Sequence, residues 1–454
     1  MTRDEAIAIL EMPRDQAIEK ILLLAEKAEK YDREHPDNPA TPSGMKPVYL
    51  KPNAKKRRKK PGRPPGHAGA ARSKPEKIDD FKEHTLSHCP DCQAPVAQPI
   101  KSYQRYIEDI PEVKPRVTEH TVNGYWCSTC KKIVWAKVTD ALPNGMIGLR
   151  LVVFTAWLHY LVGVSVNNIV AMISVFADFK ITAGGLTLAW RNLARYLESA
   201  YDDISGKIAQ SAVLHADETG WRLSGLTHWL WCFTTKTHCY YLITKTRGSP
   251  VVKQVLGIFF KGILICDFWG AYNKISALAH QRCFFHLFTE LVKVDKHNRS
   301  ADWQAFRKML SRLLKDAVRL SENRMKMPER FENRKTRLYR RLEDLIRIDS
   351  ADKDVCRLIK RLKRHQDQLF TFLEYPDVSP YNNHAEQQMR KAVLCRRVSQ
   401  QNRSEQGAKA QAILMSLFRT AELQGLNPLE SVFSEAQKAI EKNERPQVDY
   451  KKAA

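Results

Sequence analysis

Four short β-rich runs between blocks of helical periodicity constrain the fold of this chain more than any other feature of its sequence. The runs are SAVLHAD, THWLWCFTT, HCYYLITKT and GILICD. The middle two predict a hairpin around Lys236 and Thr237. Apolar residues recur at helical spacing over about 145–210, from Ile275 to about 374, and over about 382–442. Together these patterns predict a multidomain α+β chain with a mixed α/β core.

Two of the β-rich runs end in a carboxylate. SAVLHAD ends at Asp217, GILICD ends at Asp267, and a third acid, Glu386, opens a helical block in the segment YNNHAEQQMR. A buried carboxylate is costly unless it is paired or coordinated, so two acids on neighbouring strands predict a shared Mg²⁺ or Mn²⁺ ion. Taken alone, Asp217 could instead form a turn with Thr219 or Gly220.

Four cysteines have the paired C-x2-C spacing of zinc ligands: Cys89, Cys92, Cys127 and Cys130. Two such pairs can converge on one tetrahedral Zn²⁺ and so predict a zinc ribbon over residues 81–138. Because four protein ligands leave no open coordination position, this zinc is expected to be structural. His84 or His88 could replace a cysteine, and four unconnected buried thiols are the alternative.

The N-terminal sequence MTRDEAIAIL lacks the basic-then-apolar layout of a secretion signal. The most apolar stretch, LVVFTAWLHYLVGVSV, contains His159 and falls short of the roughly 20 residues of a membrane span. It predicts a buried helix. We therefore expect a cytoplasmic, nucleoid-associated protein whose ten cysteines are thiols or metal ligands rather than disulfides.

The charge of the chain indicates a polyanionic partner, because 74 Lys and Arg against 50 Asp and Glu leave a net charge of +24. Hydrophobic content of 43% excludes wholesale disorder. Basic side chains that can release counterions from phosphates are concentrated in one Pro- and Gly-rich segment: Lys55, Lys56, Arg57, Arg58, Lys59, Lys60 and Arg63. Gly62-Arg63-Pro64 resembles an AT-hook, which reads the minor groove, and a merely solvated linker is the alternative.

Three motifs in this order, behind the cysteine pairs and the basic segment, carry a resemblance to a known family. They are Asp-Glu-Thr-Gly-Trp from Asp217, Asp-x-x-Gly-x-Tyr from Asp267, and Asn-Asn-x-x-Glu-x-x-x-Arg from Asn382 to Arg390. The chain resembles the insertion-sequence family sixty-six transposases from its N-terminal helix to about residue 430. The resemblance implies an RNase H-like core whose Asp-Asp-Glu triad is Asp217, Asp267 and Glu386.

The resemblance also implies a function, which is metal-dependent cleavage at the ends of an insertion sequence followed by strand transfer into target DNA. Two ions about 4 Å apart suit both phosphoryl transfers. The implied partners are double-stranded DNA, a second copy of the chain or more, and accessory proteins of the same element. Three alternatives stay open: a catalytically silent DNA-binding protein, a nuclease that never joins strands, and an RNA-binding ribbon protein.

Further residues are assigned by the same likeness. Arg390 lies four residues after Glu386 and is expected to orient it or hold a phosphate, with an intrahelical ion pair as the alternative. Cys283-Phe-Phe-His286 resembles the family's Cys-x-x-His element, and because this pair stands alone a buried helix face is favoured over a metal role. Glu405 is a rival third acid without the Asn-Asn lead-in.

The chain departs from the family after the third acid, where an aromatic residue is missing. Three arginines are the remaining candidates for phosphate contacts there: Arg396, Arg397 and Arg403.

The sequence is predicted to divide into six segments. They are an amphipathic helix region (1–34), a basic linker (35–80), the ribbon (81–138), a helical DNA-binding or linking segment (145–210), the catalytic core (211–430) with a helical insertion at about 290–375, and a charged tail (431–454).

Overall fold

The computed structural model describes residues 12–13, 15–19, 21–23, 73–326, 328–399 and 401–442, which fall into two units, Met1–Asp109 and Ile110–Ala454. In the first unit, residues 15–19 and 21–23 are helical. The rest of the predicted N-terminal helix, the basic segment from Lys55 to Arg63 and the tail after Lys442 lie outside the described residues.

The second unit begins with a small antiparallel hairpin and continues with helices. The hairpin pairs β1 (Gly124–Cys127) with β2 (Lys132–Trp135). The helices that follow are α1 (Leu149–Trp157), extended by a π-helical turn (Leu158–Val162), α2 (Val166–Ala177), α3 (Ala183–Tyr196) and α4 (Glu198–Ala209). His159 is buried in the π-helical turn and stacks on Trp190. No helix in the described part of the chain is long and apolar enough to cross a membrane.

A five-stranded mixed sheet forms the centre of this unit. Its strands are β3 (Val213–Leu223), β4 (Leu226–Thr234), β5 (Cys239–Thr244), β6 (Phe259–Cys266) and β7 (Ser276–Arg282), in the order β5-β4-β3-β6-β7. β3 and β4 pair antiparallel, as do β4 and β5, whereas β6 runs parallel to both β3 and β7. The hairpin expected around Lys236 and Thr237 joins β4 to β5.

Two predictions about these strands are wrong. Asp217 does not end its strand, because β3 continues to Leu223 in antiparallel pairing with β4, and this also excludes the turn proposed for Asp217. The residues from Ser276 to Arg282 form an edge strand, although the sequence predicted a return to helix at Ile275. SALAHQR has little β propensity of its own, so pairing with β6 decides its conformation.

The remaining helices cover the sheet and complete the chain. They are α5 (Ser249–Leu256), α6 (Phe284–Val294), α7 (Ala301–Glu322), α8 (Pro328–Ile346), α9 (Lys353–Arg364), α10 (Thr371–Glu374), α11 (Asn383–Ser399), α12 (Glu405–Leu423) and α13 (Pro428–Lys442). Short 3-10 turns lie at Gly270–Lys274, Arg324–Lys326 and Gln366–Gln368.

Strand β6 is buried on both faces and divides the core in two. Leu264 belongs to an apolar cluster with residues of α1 to α4 and of α11 to α13, whereas Ile263 and Ile265 belong to a cluster with residues of α6 to α10. Alternate side chains of a strand point to opposite faces, so the sheet lies between two helical layers. Gly262 is required here, because a Cβ would lie 2.2 Å from the carbonyl oxygen of Ser211 on the approaching strand segment.

Candidate active site

The two sheet-borne acids lie side by side where β3 and β6 stop pairing. The last parallel pair is His215 with Ile265, and Asp217 and Asp267 each follow two residues later. Neighbouring strands are about 4.8 Å apart, and residues two positions apart point to the same face. The backbone register therefore brings both carboxylates to one face at the carboxyl edge of β6.

Asp217 has an unusual acidity because of its surroundings. Burial is the largest cause that raises its pKa to about 8, followed by the negative charges of Glu218, Asp267 and Glu386. The other two acids of the predicted triad thus both act on Asp217. Asp217 is only partly buried, so an ion from solvent can reach it. A divalent cation would relieve this repulsion, and carboxylate oxygens are the ligands that Mg²⁺ prefers.

Glu218 is anchored beside the site and is not available to a metal. Arg247 donates to its Oε1 from Nε at 3.0 Å and from Nη2 at 2.8 Å, and the Tyr272 hydroxyl donates to its Oε2 at 2.5 Å. The Glu218 side chain is 1% exposed. Arg247 lies over the rings of Trp269 and Trp229, at 3.8 and 4.6 Å from their centroids. Arg247 was not predicted as a functional residue, because no local pattern in the sequence marks it.

Arg282 fixes the loop that carries Asp267. It is fully buried at the end of β7. Its Nη1 donates to the Asp267 carbonyl, its Nη2 to Asn273 Oδ1 and its Nε to Gln368 Oε1, each at 2.7 Å. The Asp267 carboxylate accepts a hydrogen bond from the backbone N–H of Trp269 at 2.8 Å. This side-chain turn holds the second acid in one orientation.

Glu386 reaches the site from the first turn of α11, and Asn382 positions that helix. Asn382 is fully buried. Its Nδ2 donates to the Ala216 carbonyl at 2.8 Å, its Oδ1 lies 3.0 Å from His215 Nδ1, and its backbone N–H donates to Cys283 Sγ at 3.2 Å. The Glu386 N–H donates to the Asn382 carbonyl at 3.2 Å. Asn382 therefore links the third acid to the residue before Asp217.

The Cys-x-x-His element does not stand alone in the fold. Cys283 directly precedes α6, and His286 lies in its first turn. Ligand atoms of Cys283, His286 and Glu386 lie within 4.8 Å of one another, the one group of three such residues found in the described part of the chain. The sequence could not show this, because Glu386 is about 100 residues away.

The rival third acid and the arginines fall in different surroundings. Glu405 is 81% exposed at the start of α12, where it lies 3.9 Å from Lys245. Arg390 is exposed on α11, and no ion pair joins it to Glu386 among the described residues. Arg396 donates hydrogen bonds to Thr219 Oγ1 and to the Gly220 carbonyl, so its guanidinium is engaged within the protein. Arg397 and Arg403 are exposed.

Each predicted zinc-ligand pair lies in a tight turn. In the first unit, the Gln93 N–H donates to the Cys89 carbonyl, and the Cys89 N–H donates to the Ala94 carbonyl. In the second unit, Cys127 ends β1 and its sulfur accepts the Cys130 N–H at 3.4 Å. Backbone hydrogen bonds are the main cause that lowers the pKa of Cys89 and of Cys127. Such turns favour the thiolates that zinc requires.

Two family models match the chain. The model described as "Transposase IS66 family" matches residues 144–410, which include all three acids. The model described as "zinc-finger binding domain of transposase IS66" matches residues 87–131, which include all four cysteines of the two pairs, and it supports the predicted Zn²⁺. No curated protein matches the chain.

Proposed function

This chain belongs to the Transposase IS66 family and has the zinc-finger domain of such transposases, and from that premise we propose that it cleaves DNA at the ends of an insertion sequence and joins them to target DNA. Asp217, Asp267 and Glu386 would hold Mg²⁺ or Mn²⁺ for both steps. When bound, these ions supply charge that activates a water or sugar hydroxyl and stabilises the leaving oxygen.

The electrostatic effect of Asp267 and Glu386 on Asp217 is the observation that carries this proposal. Asp267 and Glu386 both raise the pKa of Asp217, although 50 and 169 residues separate them from it in sequence. Glu218, the neighbouring carboxylate, is neutralised by Arg247, whereas the triad acids have no such cation bound to them among the described residues. An oxygen-ligand site with excess negative charge fits a hard divalent cation.

The sheet supports an RNase H-like core. The central strand β3 carries Asp217, Asp267 directly follows the neighbouring strand β6, and the third acid lies in the first turn of α11. The helices α7, α8 and α9 lie between the second and third acids, where the insertion was predicted. The core is proposed to span residues 211–430.

DNA binding is proposed to use several parts of the chain. The zinc finger and the basic segment from Lys55 to Arg63 would bind duplex DNA through contacts with its phosphates. In the part of the chain that contains the acids, the exposed Arg390, Arg397 and Arg403 would position phosphate, whereas Arg396 would support β3. Because two DNA ends must be held together, the working form is proposed to be a homodimer or larger, with accessory proteins of the same element as further partners.

The test is Mg²⁺-dependent cleavage of duplex DNA that spans an end of the parent element. We expect Asp267→Asn to abolish cleavage and to keep DNA binding in a gel-shift assay. Asp349→Asn, which changes an exposed aspartate after α8, should cleave as the wild type does. Products that contain strand-transfer junctions would separate a transposase from a nuclease. Wild-type protein that binds the end but never cuts, with Mg²⁺ or Mn²⁺, would contradict the proposal and support a binding-only protein.

A further inference from the structure

Three side chains of different chemistry meet where α6 and α11 begin. The sulfur of Cys283, a ring nitrogen of His286 and a carboxylate oxygen of Glu386 lie within 4.8 Å of one another. Ligand atoms around a tetrahedral Zn²⁺ lie about 3.3 to 3.8 Å apart, given bond lengths of about 2.0 to 2.3 Å. A contraction of at most about 1 to 1.5 Å would therefore complete the geometry.

The backbone around these side chains fixes where they lie relative to one another. Cys283 directly precedes α6, and His286 is its third residue, so both project from the same helix end. The Cys283 sulfur accepts the backbone N–H of Asn382 at 3.2 Å, and the Asn382 carbonyl accepts the N–H of Glu386 at 3.2 Å. This chain of hydrogen bonds fixes the third ligand relative to the first, as second-shell contacts do around bound metals.

His286 provides a second, independent observation. Its Nδ1 is buried and has no hydrogen-bond partner among the described residues. Leaving a buried polar atom unsatisfied costs free energy, and such an atom needs an explanation. A bound ion supplies one, because a metal on one ring nitrogen fixes the tautomer and the orientation of the ring.

The ligand set selects the class of ion. Thiolate and imidazole bind Zn²⁺ well, whereas Mg²⁺ prefers oxygen ligands. We propose that Cys283, His286 and Glu386 bind one Zn²⁺, with a fourth position open to water. This site is distinct from the four-cysteine zinc finger and shares one ligand with the Asp-Asp-Glu site.

The shared ligand gives zinc a regulatory effect, which rests on the proposed function. Glu386 carries one negative charge, so a zinc ion bound to it weakens its attraction for Mg²⁺, whether the carboxylate turns away or bridges the two ions. We expect zinc to raise the Mg²⁺ concentration needed for half-maximal cleavage by about tenfold or more.

The first test counts zinc in the full-length chain after dialysis against Zn²⁺, by mass spectrometry of the metal. Cys283→Ser and His286→Asn should each hold one ion fewer than the wild type, while the control Cys395→Ser, which changes a buried cysteine of α11, should hold as many as the wild type. Equal zinc content in all four proteins would overturn the site. If thermal melting shows that Cys283→Ser is unfolded, the half-buried His286 decides the outcome.

The second test measures the Mg²⁺ requirement for cleavage with and without Zn²⁺, each protein compared with its own zinc-free rate. Zinc should raise the Mg²⁺ requirement of the wild type and of Cys395→Ser. It should not change the Mg²⁺ requirement of Cys283→Ser or His286→Asn. If zinc leaves the Mg²⁺ requirement of the wild type unchanged, the proposed competition between Zn²⁺ and Mg²⁺ for Glu386 is wrong. If no protein cleaves in Mg²⁺ alone, the proposed function fails, while the zinc count still decides the site.

Discussion

The acids on the sheet and the acid on α11 are held in place in different ways. Asp217 lies within β3 and Asp267 directly follows its parallel neighbour β6, so the backbone ladder brings their main chains together, and Arg282 then fixes the loop that carries Asp267. Glu386 belongs to a helix that the sheet does not pair with, and the side chain of Asn382 links that helix to β3. Pairing of neighbouring strands therefore brings the first two acids together, whereas the third acid is joined to the sheet only by contacts of its helix.

This difference has a consequence for substitutions. A ladder of backbone hydrogen bonds survives most side-chain changes, because every residue except proline supplies the same groups. The Asn382 side chain contacts the Ala216 carbonyl through its amide nitrogen and His215 through its amide oxygen. Among the other side chains, only that of glutamine carries the same amide group. The third acid should thus be easier to misplace than the first two.

The largest expected effect decides which residue is the third acid. We expect Glu386→Gln to lower the cleavage rate on the order of a thousandfold, because it removes a charged group that is proposed to bind the metal. Glu405→Gln is the matched control, since Glu405 is exposed and starts α12. The measurement is single-turnover cleavage of an end-containing duplex in Mg²⁺. If Glu405→Gln lowers the cleavage rate more than Glu386→Gln does, Glu405 is the third acid, and the contrast between the sheet acids and an acid on α11 no longer holds.

The second prediction concerns the ion pair between Arg247 and Glu218, which lies beside the acids of the sheet. Arg247→Met removes both hydrogen bonds from the guanidinium to Oε1 of the buried Glu218, so we expect the free energy of unfolding to fall by about 3–5 kcal/mol. Arg222→Met is the control, because Arg222 is exposed and donates only to the Gly225 carbonyl. Urea denaturation measures both. Equal stability of the two variants would show that the sheet edge does not depend on this ion pair.

Much of this arrangement could be predicted from the sequence, and the limits have physical causes. The carboxylates of Asp217 and Asp267 follow apolar runs, and such local patterns are visible without a structure. The strand β7 could not be foreseen, because its conformation comes from pairing with β6. Contacts between residues far apart in sequence leave no local signal.

The arginines show the same limit of prediction from sequence. Arg396 is predicted to contact DNA, which stays a prediction, and the fold adds that its Nη1 donates to the Gly220 carbonyl. Arg247 was not singled out, yet it neutralises Glu218 and lies against Trp269. Composition and spacing reveal that a chain is basic, but only the fold shows which guanidinium groups are already used inside the protein.

The third prediction concerns the cost of holding acids at the sheet edge. The folded pKa of Asp217, about 8, lies above its ordinary value, so the contribution of this group to stability is full at low pH and is lost as pH rises toward 8. In Mg²⁺-free buffer above pH 8, Asp217→Asn should therefore be more stable than the wild type, by about 2–3 kcal/mol given the partial exposure of the group.

Thermal melts between pH 5 and 9 check this prediction, with Asp349→Asn as the control. The advantage of Asp217→Asn should shrink as pH falls toward 4, because the wild-type carboxyl is then protonated in the folded protein. Added Mg²⁺ should stabilise the wild type and not the variant. A variant that is less stable than the wild type at every pH would mean that Asp217 is stabilised by its neighbours.

The smallest expected effect tests the side-chain link to the third acid directly. Asn382→Ala removes the hydrogen bonds to Ala216 and His215 and leaves buried groups unsatisfied, so we expect the free energy of unfolding to fall by about 1–3 kcal/mol. Cleavage should fall further, by about tenfold to a hundredfold, because Glu386 loses its fixed position. Asn383→Ala, one residue later and exposed, is the control for both measurements. Cleavage that falls no more in Asn382→Ala than in Asn383→Ala would show that packing of α11, and not Asn382, holds the third acid in place.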